Sequence, residues 1–167
     1  ALLAYAEEVG FERLQEVVSG GQYTHPTGVF YGGAEPVWSH RWLGEHVGHL
    51  AGAATRVAVV DLHTGLGAWG HGELISHEGR GAAGYERGMA WWGDVRSMVD
   101  GESVSASVSG DWLGVLDRFL PRAQVTAVAL EFGTVDTISV LQALRADAVL
   151  HASGDPLGDG SVEVRAQ

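Results

Sequence analysis

Two apolar segments of the sequence end in side chains that can do chemistry. "RVAVVDL" (56–62) contains Asp61 and is followed by His63, and "AVALEFGT" (127–134) contains Glu131. Imidazole is the commonest zinc ligand, and Asp61 shares the strand face of His63, where it can support the site or orient a water. A carboxylate in an apolar strand needs a partner, because an unpaired buried charge costs several kcal/mol. A metal ion, a bound water or an arginine would each serve as that partner, and a buried carboxylate would suit a general base.

Each of these residues also has a second interpretation. His63 can be an ordinary histidine beside a glycine-rich turn, and Glu131 can face the positive end of a helix that begins near Asp136. A third hypothesis joins His63 to His71 and His77 in a local metal site within one strand–turn–strand unit. Residue spacing does not decide among these interpretations.

Several common catalytic motifs do not occur in the sequence. It contains no HExxH, no GxSxG and no GxxxxGK[ST] pattern. "GLGAWG" (65–70) matches GxGxxG in its letters, but no acidic residue about twenty positions later ends a second strand. We therefore reject dinucleotide binding.

The composition is that of one globular domain. The chain has 167 residues, of which 46% are hydrophobic and 19% charged, enough to bury a core. Without cysteine, any metal must be held by His, Asp or Glu.

The net charge of −11, with arginine as the only basic residue besides histidine, argues against nucleic acid and anionic membranes as partners. We expect a cytoplasmic protein.

The order of predicted elements indicates an α/β fold. We expect helices over 1–18 and from His40 to about Ala54 (capped by Ser39), and a long decorated loop at 22–38. Further helices are expected within 80–99, from 111 to Pro121 and after Thr134 or Asp136. Strands are expected at 56–62, 72–78, 103–110 and 124–134, the first and last of them covered on both faces. Helices alternating with buried strands predict a mixed, largely parallel sheet, in which ligands bind beyond the carboxyl ends of the strands.

Three motifs, in this order along the chain, carry a resemblance to a known superfamily. They are "GGQYTHPTGVFYGG" (20–33), "DLHTGLGAWGHGEL" (61–74) and "ALEFGT" (129–134). With them the chain resembles an uncharacterised bacterial branch of the zinc carboxypeptidase superfamily, whose members are similar to metallocarboxypeptidases and to deacylases related to aspartoacylase. The resemblance covers nearly the whole chain.

The resemblance implies a three-layer, carboxypeptidase-like α/β fold and a zinc-dependent hydrolase of amide or peptide bonds. His63 matches the third zinc ligand of the superfamily, and Glu131 matches the general base that acts on the zinc-bound water. The implied cofactor is Zn²⁺, and the substrate is a small molecule or a peptide. Five further residues are expected to contact the substrate or to hold the metal ligands in place: Asp61, His71, Gln22, His25 and Tyr31.

The chain also departs from the superfamily pattern. The first two zinc ligands, a His and a Glu close together, precede the third ligand in a segment that has no counterpart in residues 1–62. The same holds for the arginine and asparagine that hold the substrate in carboxypeptidases. We therefore expect residues 1–167 to correspond to the C-terminal part of one domain, partnered by its N-terminal half and inactive alone. The alternative is a non-catalytic binding module that keeps the cleft without a complete metal site.

Overall fold

The structure, a computed structural model, describes residues 2–154 and contains six α-helices, one 3₁₀ turn and four strands within that range. The helices are α1 (Leu2–Val9), α2 (Phe11–Ser19), α3 (Trp38–Ala51), α4 (Ala83–Trp92), α5 (Leu116–Phe119) and α6 (Thr137–Ala152), and the 3₁₀ turn is Leu113–Val115. The strands are β1 (Arg56–Gly65), β2 (Gly72–Ser76), β3 (Val95–Ser97) and β4 (Gln124–Gly133). Within 2–154, no helix has both the length and the apolar character needed to cross a membrane.

The four strands form one mixed sheet in the order β1-β4-β2-β3. β1 runs parallel to β4, and β2 runs parallel to β3, whereas β2 and β4 are antiparallel. The predicted α/β class with a mixed, largely parallel sheet is thereby confirmed. Because β1 and β4 are parallel, their carboxyl ends lie at the same end of the sheet. His63 and Glu131 are close to these two ends.

Helices cover the sheet on both sides, which gives three layers. On one side, here called the α5 face, Leu116 and Leu120 pack with Val125 and Ala127 of β4. On the opposite α4 face, Tyr85 of α4 packs with Val128 and Val95. Alternate residues of β4 therefore enter two separate apolar clusters, as expected for a central strand.

The prediction that β1 is covered on both faces is wrong. Among the described residues β1 pairs only with β4 and is the edge of the sheet. Val60 is 43% exposed and Leu62 is 71% exposed, because α4 packs against β4 and β3 and leaves this face of β1 open. A continuous apolar run cannot tell a covered strand from an uncovered one.

The helix boundaries also differ from those predicted. Gly10 adopts φ +88 and divides the predicted helix 1–18 into α1 and α2. α3 begins at Trp38, so Ser39 lies inside the helix and no side chain caps it. For α6 the prediction left Thr134 and Asp136 open, and the cap is Asp136, whose side chain accepts a hydrogen bond from the Ser139 amide. Hydrogen bonds from the hydroxyl and amide of Ser139 lower the pKa of Asp136.

The alternating segment 103–110 is not a strand, contrary to prediction. Its backbone is bound by side chains instead: the Val104 amide donates to Glu73 Oε1 at 2.8 Å, and Gln15 Nε2 donates to the Val104 carbonyl at 3.0 Å. The unpredicted strand β3 lies within residues 80–99, where only a helix was expected.

The glycine-rich turn between β1 and β2 (residues 66–71) packs against the end of β4. The Gly133 amide donates to the His71 carbonyl at 3.0 Å, and the Gly70 amide donates to the Gly133 carbonyl at 2.9 Å. A Cβ atom at Gly133 would overlap the backbone of Gly67 and Ala68. Glycine at 133 is therefore required by this contact between two backbones.

We expect Gly133→Ala to lower the free energy of unfolding by about 1–3 kcal/mol or more, because the added methyl forces the turn away from β4. Urea unfolding measures the effect. Gly48→Ala in α3 is the matched control, since its Cβ would meet only an ordinary contact and should stabilise the helix by up to about 1 kcal/mol. Equal, small effects of the two substitutions would contradict the packing described here.

Candidate functional site

Three polar residues occupy one row across three neighbouring strands. The register pairs His63 of β1 with Glu131 of β4, and Glu131 in turn with Glu73 of β2. Neighbouring strands are about 4.8 Å apart, so the side chains of His63, Glu131 and Glu73 lie side by side on the α5 face. The sheet thus brings together the two residues for which the sequence predicted catalysis and metal binding.

The His63 ring lies between two carboxylates. Its Nε2 is 2.9 Å from Asp61 Oδ2, and its Nδ1 is 3.4 Å from Glu131 Oε2. With the proton on Nε2, that nitrogen donates to Asp61 and the Nδ1 lone pair faces Glu131. A lone pair opposite a carboxylate is repulsive unless a proton or a cation lies between them. The His63 side chain is 48% exposed, whereas the Glu131 side chain is 8% exposed.

Asp61 is held in place by a second donor. The indole Nε1 of Trp112 donates to Asp61 Oδ2 at 2.6 Å, on the same oxygen that His63 contacts. Trp112 directly precedes the 3₁₀ turn Leu113–Val115, whose Leu113 is buried in the core. The core therefore fixes the direction of Asp61, and Asp61 fixes the direction of the His63 ring.

Glu131 is buried, with 7% of its surface exposed, and each of its oxygens has a different neighbour. Oε1 accepts a hydrogen bond from the Leu66 amide at 3.1 Å, and Oε2 faces His63. Gly65 leaves room for this arrangement, because a Cβ there would lie 3.3 Å from Oε1. The partner that a buried carboxylate needs is thus a backbone amide together with His63.

The other two histidines of the strand–turn–strand unit do not join His63. His71 is exposed in the turn, where its backbone bonds to Ala68 and Gly133, and His77 lies beyond the end of β2. Within residues 2–154 no group of three or more His, Asp and Glu side chains is arranged to hold a metal ion. The local three-histidine site has no support in this geometry.

The long loop before α3 contributes a different residue from those expected. Gln22 uses its side chain within the loop, accepting from the amides of Thr24 and His25 at 2.9 and 2.8 Å. His25 is exposed and Tyr31 forms a bridge with Gln22, and none of these residues lines the cavity beside His63. Phe30 does line it, in a left-handed conformation with φ +57 that is uncommon for a large side chain.

A cavity of about 360 Å³ opens beside the row and was not foreseen in the sequence. Asp61 and His63 form part of its wall, together with Trp112 and His77. Trp112 and His77 come from separate parts of the chain, and neither has a sequence pattern that links it to His63. Only the folded arrangement shows that they belong to the same site.

We expect Asp61→Ala to lower the free energy of unfolding by about 1–3 kcal/mol, because it leaves the Trp112 indole donor without its acceptor. Urea unfolding measures the change, and the NMR signal of that indole proton should move upfield. Asp94→Ala is the control, since the Asp94 carboxylate is 78% exposed and, within residues 2–154, pairs only with Arg96. An unchanged indole signal would show that this hydrogen bond is absent in solution.

Comparisons with known proteins give a family and no function. No curated protein and no solved structure matches the chain. One family matches it, over residues 1–165, and therefore over nearly all of its length. The chain belongs to the family described as "Protein of unknown function (DUF2817)".

Proposed function

We propose that this chain carries one metal ligand and the general base of a zinc-dependent hydrolase that cleaves an amide or peptide bond. The observation that supports the proposal is the position of His63, with Nε2 next to Asp61 and Nδ1 directed toward Glu131. Metal-binding histidines in proteins commonly donate their second ring N–H to a carboxylate in this way. The superfamily resemblance assigns the same two residues to the same roles.

The donor set fits part of a zinc centre. His63 offers one imidazole nitrogen, and the described residues supply no group of three ligands. A catalytic zinc uses three protein ligands and keeps one position for water or substrate. We propose that the N-terminal half of the same domain provides the remaining ligands, which can approach along the open edge of β1 next to His63.

Each residue of the site has a separate role in the proposed reaction. Zinc, held in part by His63, would lower the pKa of its bound water and polarise the carbonyl under attack. Glu131 Oε2 is the oxygen that takes a proton from the attacking water and passes it to the leaving amine, because Oε1 is engaged with the Leu66 amide. Asp61 and Trp112 hold the His63 ring so that Nδ1 keeps its direction.

A non-catalytic binding module is the second candidate. The observation in its favour is the incomplete ligand set of residues 2–154, which by itself would leave a cleft without a reactive centre. The two candidates differ in what the complete gene product holds: the hydrolase contains zinc and the binding module does not.

Elemental analysis of the purified complete gene product should find about one zinc per chain, and His63→Ala should lower zinc affinity at least tenfold, because one of three ligands is lost. His71→Ala is the matched control and should keep its zinc, since His71 lies exposed in the turn. The 167-residue chain alone should contain only background zinc. Stoichiometric zinc in that chain, lost equally in both variants, would favour the local histidine site instead.

Glu131→Gln in the complete gene product should retain zinc and lose roughly 10²–10⁴-fold in kcat for amide hydrolysis, because the amide cannot accept the proton from water. Hydrolysis of N-acyl amino acids and short peptides measures the effect. Glu45→Gln on exposed α3 is the control and should keep the original rate. A zinc-loaded protein that cleaves none of these substrates would point to the binding module.

A further inference from the structure

We propose that a second cavity, which shares Trp112 with the cavity beside His63, binds a small aromatic carboxylate and thereby stabilises the hydrogen bond from Trp112 to Asp61. This second cavity, here called the α3 cavity, lies between the first half of α3 and the segment from Gly110 to Phe119. Binding in the α3 cavity goes beyond the proposed function and does not depend on it. Only its effect on zinc rests on the proposed function.

The α3 cavity has the size and wall of a site for a small ring compound. Its volume is about 410 Å³, within the range of about 300–1,000 Å³ that ligand pockets occupy. Two aromatic rings, Trp112 and Phe119, contribute to the wall, together with the aliphatic side chains of Val37, Leu43 and Val115. Aromatic rings make favourable offset-stacked and edge-to-face contacts with one another. The wall therefore favours an aromatic ligand.

The polar groups of the wall suit a carboxylate. Ser39 and His40, in the first turn of α3, line the cavity and are exposed. The Ser39 hydroxyl and a ring N–H of His40 can each donate a hydrogen bond to a carboxylate oxygen. Within residues 2–154 no Asp or Glu lines this cavity, whereas Asp61 and Asp111 line the cavity beside His63. In a chain with a net charge of −11, a bound anion therefore meets no like charge in this wall.

Trp112 connects the α3 cavity to the row of polar residues. Its indole Nε1 donates to Asp61 Oδ2, the oxygen that also contacts His63. The Trp112 ring packs in part against the apolar cluster of the α5 face, but it also borders both cavities. Ring atoms that face a cavity lack the dispersion contacts of a close-packed interior. A ligand ring in the α3 cavity supplies such contacts and opposes movement of the indole away from Asp61.

This coupling must act in both directions, because linkage between two equilibria is reciprocal. If the ligand stabilises the hydrogen bond from Trp112 to Asp61, then loss of that bond weakens ligand binding. Asp61→Ala removes the acceptor and allows the indole to move into the α3 cavity. Asp61→Asn keeps an oxygen that accepts from the indole. The pair of variants therefore separates the hydrogen bond from the charge of Asp61.

Titration of the 167-residue chain with phenylacetate tests binding without zinc or catalysis. Acetate and phenylacetamide are the comparison probes, and the indole proton of Trp112, assigned by its loss in Trp112→Phe, is followed by NMR. We expect phenylacetate to bind at least about tenfold more tightly than acetate, because its ring is buried, and severalfold more tightly than the neutral amide. An unmoved Trp112 signal, or equal binding of all three probes, would overturn the proposal.

Variants of α3 show where the probe binds. Leu43→Trp fills the cavity and should weaken phenylacetate at least about tenfold, whereas Leu50→Trp on the same helix should change nothing, since Leu50 is 71% exposed. The double variant Ser39→Ala/His40→Ala, at two exposed positions, should bring the preference for phenylacetate over phenylacetamide to about one. Urea unfolding shows that each variant is folded. Unchanged phenylacetate binding in folded Leu43→Trp, or a preference that survives in the double variant, would contradict this assignment.

The Asp61 variants test the coupling. Asp61→Ala should weaken phenylacetate about fivefold or more, whereas Asp61→Asn should stay within about twofold of the original affinity. Equal affinities in the two variants would overturn the role of Trp112.

Zinc binding by the complete gene product separates this inference from the proposed function. Phenylacetate should raise zinc affinity severalfold, and Leu43→Trp should abolish that rise, which excludes direct binding of the carboxylate to zinc. A rise that persists in Leu43→Trp, or no rise in a protein that binds zinc, would overturn the coupling and leave the hydrolase standing. Phenylacetate binding at Trp112 in a protein that holds no zinc would uphold the α3 cavity and refute the hydrolase.

Discussion

The parallel pairing of β1 with β4 is the constraint on which the site depends. Ten consecutive residue pairs fix the register and place His63 level with Glu131. A shift of one residue would turn His63 to the opposite face of the sheet, because strand side chains alternate. Val57 and Val59 oppose such a shift, because on the α5 face they pack against the apolar cluster that contains Leu116 and Leu120. The relative position of His63 and Glu131 is therefore set by the apolar packing of the strands that carry them.

Around that pairing, the polar groups of the site are held mainly by backbone and core elements. The Leu66 amide holds one oxygen of Glu131, and the Trp112 indole holds Asp61. Neither contact needs a flexible, solvent-exposed side chain. His63 is the most exposed of the three side chains, at 48% against 22% for Asp61 and 8% for Glu131, and it lies on β1, the edge strand among the described residues. In the hydrolase that we propose, Glu131 would be the rigidly held base and His63 the accessible metal ligand, and the remaining ligands would come from outside residues 2–154.

Sequence patterns predicted the parts of the fold that depend on local order. β4, α6, and the position of Asp61 and His63 on one strand face all follow from residue type and periodicity, whereas the choice between Thr134 and Asp136 as the cap of α6 did not. The edge position of β1 did not, since its apolar residues look the same whether or not another element covers them. The conformation of residues 103–110 depends on hydrogen bonds between the Val104 backbone and the side chains of Glu73 and Gln15, which are distant in sequence. The contacts of Trp112 and His77 likewise arise only in the folded chain.

The contact at Gly133 has a consequence for how the gene can vary. Every missense change of that codon adds at least a Cβ atom, and a Cβ atom collides there with the backbone of Gly67 and Ala68. Because the obstacle is main chain, no change of side chain at 67 or 68 relieves it. Gly70 is different, since a Cβ there meets no neighbour and only its positive φ opposes substitution. Substitution should thus be tolerated less well at Gly133, at the end of β4, than at Gly70 in the turn that packs against it.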